Sequence, residues 1–66
     1  MTAVHEHPDR LLTAADVADL LNVAESWVRA ATRDGRLPHV PIGRWRRYQR
    51  DAVLAWVEQQ AVGGRL

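Results

Sequence analysis

Leu12-Thr13-Ala14-Ala15-Asp16-Val17-Ala18-Asp19-Leu20-Leu21-Asn22-Val23, followed by Ala24-Glu25-Ser26-Trp27-Val28-Arg29-Ala30-Ala31-Thr32-Arg33-Asp34-Gly35, reads as two short helices separated by a tight turn. Thr13 and Asp16 have the spacing of a capping box with a short acidic residue, and Leu12 ahead of the cap can pack on Val17 as a hydrophobic staple. Val17, Leu20 and Leu21 recur at helical spacing and give one apolar face, while Asp16 and Asp19 keep the other face wet. Asn22 falls where the chain must turn, and Asn tolerates the left-handed conformation better than any residue except Gly. The second helix is expected from Ala24 or Glu25 to Arg33; Gly35 stops it, and Leu37-Pro38 prevents its resumption.

On a wheel of about 100° per residue with Val28 at zero, Ala31 and Thr32 flank the buried side, Ser26, Ala30 and Arg33 point away, and Arg29 and Trp27 take the shoulders. The outer face is small and polar at its centre and bulky at its edges. Such a face can enter a groove.

Outward from this pair, His39-Val40-Pro41-Ile42, Gly43-Arg44 and Trp45-Arg46-Arg47-Tyr48 read as two strands joined by a Gly-containing turn. Pro41 has no amide donor and belongs at an edge or facing outward. Val40, Ile42 and Tyr48 are expected to face inward, and Trp45 is a core candidate because a chain with no Phe needs its tryptophans inside. A last helix over residues 50–60 carries Val53, Trp56 and Val57 on one side, with Trp56 in the core. Leu54 lies off that side, beside Ala55, Ala61 and Leu66, where it can serve a neighbouring copy or another protein. The expected organisation is a lead-in over residues 1–10, one domain over 11–60 and a frayed tail over 61–66. The fold class is mainly α with a small β-hairpin, a winged helix-turn-helix.

At 66 residues there is room for one domain, and a domain this small withdraws only about 60% of its unfolded surface from water. The chain has no cysteine, which excludes a disulfide framework and a thiolate metal site. His5 and His7 lack a third ligand nearby and read as part of a solvated tail. No apolar run approaches the roughly 18 residues of a membrane span, and the first ten residues lack the build of a secretory signal, so a cytoplasmic location is expected. With no glycine-rich phosphate loop and no paired carboxylates beside a tuning base, neither an enzyme nor a cofactor is expected.

Charge separates along the chain. Residues 1–28 hold one arginine against five carboxylates, whereas residues 29–50 hold seven arginines against Asp34 alone. The formal total of +1 hides this dipole, and a segregated basic surface concentrates attraction for phosphate on one side. All nine basic residues are Arg, which fits GC-rich coding as well as a demand for guanidinium. Duplex DNA is the expected partner. Ser26, Trp27, Arg29 and Arg33 are the candidates on the second helix, and Arg44, Arg46 and Arg47 those on the hairpin. Arg29 and Arg33 can pair with guanine or clamp phosphates. Trp27 can press on a sugar or a thymine methyl, or fold against the hairpin.

Residues 12–23, with Val28, Gly35, Leu37-Pro38, Ile42-Gly43-Arg44 and Val53-Leu54-Ala55-Trp56, resemble the excisionase-type branch of the MerR-like winged helix-turn-helix superfamily. That branch holds phage excisionases, which direct recombination, and small transcriptional regulators. The resemblance implies a second helix in a major groove and a hairpin wing on phosphates or an adjacent minor groove. Two positions depart from the family's pattern: Ala24 replaces a Ser cap and Asn22 a Gly. Loss of a Ser cap costs about 1 kcal/mol, which points to a helix start that orders on DNA.

The leading expectation is a phage- or bacterium-encoded excisionase that binds repeated sites, bends DNA and acts with an integrase. Nothing read after Gln60 would supply the dimerisation helix of a full activator. Copies would then meet head to tail through Leu54 or the hairpin flank at Trp45. The alternatives are a minimal transcriptional regulator and a module docking an acidic protein.

Overall fold

The computed structural model describes residues 10–63; the expectations placed on residues 1–9, His5 and His7 among them, and on Leu66 lie outside the described residues. The order is α1 (Ala14–Leu21), α2 (Glu25–Arg33), β1 (Val40–Ile42), β2 (Trp45–Arg47) and α3 (Arg50–Gln60). Three helices and a two-stranded antiparallel hairpin make the winged helix-turn-helix. Among the described residues no helix is long and apolar enough to cross a membrane.

The ends of α1 and α2 are set by local hydrogen bonds. Thr13 Oγ1 accepts from the Asp16 amide at 3.1 Å and Asp16 Oδ2 accepts from the Thr13 amide at 3.0 Å, a complete capping box. Asn22 ends α1 with φ 60 and ψ 48. The Val23 amide then reaches Ala18 O and the Asn22 amide reaches Asp19 O, the paired bonds of a Schellman motif. Gly35, with φ +78, repeats the motif after α2, where Arg36 donates to Ala31 O and Gly35 to Thr32 O. Asn22 therefore performs at one helix end what Gly35 performs at the other.

Ala24 precedes α2 with no side-chain cap, yet its carbonyl accepts from both Trp27 and Val28 and the helix is formed from Glu25. Backbone bonds and the burial of Val28 support the first turn in place of a side-chain cap.

Val17, Ala18, Val28, Ala31, Leu37, Tyr48 and Val53 form the core, with Leu12, Ala14, Leu20, Leu21 and Trp56 packed against it. Thr32 is buried beside Val28 and Ala31, as the wheel requires, and Ala30 is half-buried rather than turned away. In α3 only Val53 is buried, while Trp56 and Val57 are half-buried and Leu54 is exposed. Trp56 covers the core from outside instead of filling it.

The hairpin pairs Val40 with Arg47, Pro41 with Arg46 and Ile42 with Trp45. Two inward assignments are corrected: Ile42 is 46% exposed and Trp45 56%. Strand alternation puts Val40 and Ile42 on one face, but with three residues per strand only the Val40–Arg47 end lies near the helices and is half-buried. The tip at Gly43 and Arg44 carries Ile42 and Trp45 away from the helical core. Tyr48 leaves the hairpin altogether and bridges to Leu12 through mutual backbone bonds of 2.7 and 2.9 Å.

Candidate nucleic-acid interface

Tyr48 fixes the hairpin to α2. Its backbone is clamped by Leu12, its ring is buried in the core, and its hydroxyl lies 2.6 Å from Thr32 Oγ1. Thr32 has one hydroxyl proton and donates it to Val28 O at 2.8 Å, because a carbonyl can only accept. Tyr48 must therefore donate to Thr32. The relay from Tyr48 through Thr32 to the Val28 carbonyl satisfies both buried hydroxyls, and no buried side-chain polar atom among the described residues is left unbonded.

With the wing held this way, α2 and the hairpin enclose an open concavity of about 780 Å³ whose lining includes Arg29 and Arg33 from α2 and Arg44, Arg46 and Arg47 from the wing. Among the described residues Glu25 is the one carboxylate there. It pairs with Arg29 one helical turn on, the N-terminal acid and C-terminal base order that suits a helix. Glu25, Arg29 and Arg33 recur every four residues, so one stripe of α2 faces the concavity. Arg44, Arg46 and Arg47 pair with no carboxylate among the described residues. Convergence of cations from separate elements raises the potential over the cleft above that of any one of them.

Two of the wing arginines pack on an aromatic ring instead. The Arg44 and Arg47 guanidinium carbons lie 5.6 and 5.4 Å from the centre of the Trp45 ring, within cation–π range. Arg47 Nη1 also donates to Arg46 O at 2.9 Å. His39, at the rim, donates from Nδ1 to Leu37 O at 2.9 Å.

Two expected site residues on α2 lie outside the concavity. Ser26 is exposed on the first turn of α2 but does not line the concavity. Trp27 lies toward α3: its ring is 6.4 Å from that of Trp56 at 53°, with the Arg36 guanidinium 5.7 Å from its centre. A bulky ring on the α3 side of α2 gains more from another aromatic than from water. Arg36 is held there and near Asp34, at 3.4 Å, so it belongs to the opposite side from the wing. Glu25 was overlooked as a site residue, although its spacing from Arg29 is readable in the sequence.

A family described as "Helix-turn-helix domain" matches residues 11–61. Comparison with curated proteins gave no match. Comparison with solved structures gave none either.

Proposed function

Since the chain belongs to the helix-turn-helix domain family, we propose that it is a non-catalytic, sequence-specific DNA-binding protein. The observation that carries this reading is the joining of Arg29 and Arg33 with Arg44, Arg46 and Arg47 in one concavity. In the proposed complex α2 enters a major groove, where Ser26, Arg29 and Arg33 face base edges. The wing sits on phosphates and the flanking minor groove and sets register. Glu25 holds Arg29 in line and accepts from cytosine where the site offers it.

Within that class the finer reading is an excisionase of the MerR-like branch, which binds repeated sites, bends DNA and directs an integrase toward prophage excision. Its support is the resemblance of residues 12–56 together with the small reading surface. One short helix and one wing make few base contacts, each worth about 1–3 kcal/mol of discrimination, so several copies must cooperate for useful specificity. Exposed Leu54 on α3 offers the head-to-tail contact.

The test is an electrophoretic shift with DNA flanking the gene and with random duplex, followed by an excision assay with the cognate integrase. Selective binding plus stimulated excision is the expected result. Selective binding without excision would move the reading to a small transcriptional regulator. Equal, weak binding to both duplexes would overturn sequence-specific recognition and leave the basic cleft to an acidic protein.

A further inference from the structure

The exposed hairpin tip is an unusual place for the chain's apolar surface. Ile42 and Trp45 are direct cross-strand neighbours flanking the Gly43-Arg44 turn, and both stand open to water. A hairpin needing only to reach phosphate would gain nothing from an isoleucine and a tryptophan there, since apolar exposure is unfavourable in the free protein. Arg44 and Arg47 stand over the ring of Trp45, so the apolar pair is bordered at Trp45 by guanidinium groups that pair with no carboxylate among the described residues. An occupant that suits this tip presents an apolar surface bordered by negative charge. The floor of a DNA minor groove, with its stacked bases and sugars between two rows of phosphates, has that composition.

We infer that Ile42 and Trp45 form a wedge that enters the minor groove beside the α2 contact and parts a base step, while Arg44 and Arg47 meet the phosphates on either side. The inference rests on the DNA-binding reading and adds to it a specific deformation: the step opened at the wing kinks the duplex by about 20–90° toward the major groove. The cation–π contacts hold Trp45 in place before binding, so little rotamer freedom remains to be lost. Pyrimidine–purine steps, which unstack most easily, are preferred under the wing even where no base edge is read there.

The test uses the full chain and a duplex that the wild-type protein selects from a randomised library, with 2-aminopurine moved step by step along the flank and a fluorophore pair at the ends. Wild type and W45F should brighten 2-aminopurine at one step and shorten the end-to-end distance. W45A should do neither and should bind about tenfold to a hundredfold more weakly, the range expected for losing one aromatic stack. Trp45 is largely exposed, so W45A keeps the fold, which its circular dichroism melt verifies. Binding by W45A within about twofold of wild type removes the tip from the interface. Weaker binding by W45A with no brightening at any step for wild type means packing on the sugars and overturns the wedge. Normal single-site binding by W45A with lost occupancy of tandem sites makes the patch a contact between copies and overturns it too. Failure of the wild-type protein to select any duplex defeats the DNA-binding reading itself, and the wedge with it.

Discussion

Replacing Thr32 with Val tests the latch between wing and helix. The substitution keeps the shape and the β-branch, has little effect on helix propensity, and deletes only the hydroxyl. Tyr48 Oη, buried and donating to Thr32 Oγ1 at 2.6 Å, then has no partner, and a buried orphan of this kind costs about 1–3 kcal/mol. Tyr48→Phe is the milder change. Thr32 still donates to Val28 O, so no donor is stranded and the loss is about 0.5–1.5 kcal/mol. In the double variant both hydroxyls are gone and nothing is stranded, so its cost should fall below the sum of the single costs by about 1 kcal/mol or more. Urea unfolding measures this well. A chain of this length has a total stability of about 3–10 kcal/mol, and with a slope near 1 kcal/mol per molar urea, T32V should lower the midpoint by about 1–3 M. Additivity of the two substitutions within about 0.3 kcal/mol would refute the Tyr48–Thr32 bond. A Y48F cost equal to or above that of T32V would refute the direction of the relay. The same bond ties the exit of β2 to the middle of α2, so variants with a loosened latch should also bind DNA more weakly than their remaining stability explains.

Three phosphate contacts by Arg44, Arg46 and Arg47 should make log affinity fall against log salt with a slope of about −2.7; a slope shallower than about −1 would show that the wing is not on the phosphates. Substitution of Ser26 or Arg33 should change which base pairs are selected from a randomised library, whereas R44A should weaken specific and random DNA about equally; unchanged affinities for R44A in a filter-binding titration would remove the wing from the interface. Leu54→Asp should leave the thermal melt and single-site affinity nearly unchanged while lowering occupancy of adjacent sites, because Leu54 is exposed on α3; equal per-site affinity of the wild-type protein on single and tandem sites would rule out the contact it is proposed to make.

Helix ends were legible because their causes lie within five residues. The capping box joins Thr13 to Asp16, and the left-handed turns at Asn22 and Gly35 close bonds no longer than Val23 to Ala18 or Arg36 to Ala31. The wheel of α2 separated buried Val28, Ala31 and Thr32 from exposed Arg29 and Arg33 for the same reason, since a 3.6-residue period is a property of the segment alone. It went astray at Ala30, whose small side chain is half covered by neighbours that a wheel does not contain.

The tryptophans show where a one-dimensional reading stops. Hydrophobicity predicts burial for all three, yet Trp56 is half-buried, Trp27 is paired with it across 29 positions, and Trp45 stands on the wing tip. Each outcome depends on which element lies opposite. A hairpin of three-residue strands has cover at its base and none at its tip, so Ile42 and Trp45 escape burial whatever their own preference.

By itself the sequence determined the element order, the helix termini, the hairpin turn and the concentration of arginine over residues 29–50, because these follow from backbone bonds between near neighbours and from charge that can be counted. Only the tertiary structure decided that Arg29 and Arg33 face the same concavity as Arg44, Arg46 and Arg47, with Trp27 and Arg36 turned the other way. That choice is made by contacts between residues far apart in the chain, the Tyr48–Thr32 bond and the Leu12–Tyr48 bridge above all, and it is the packing of the core around Tyr48 that sets the angle between wing and helix.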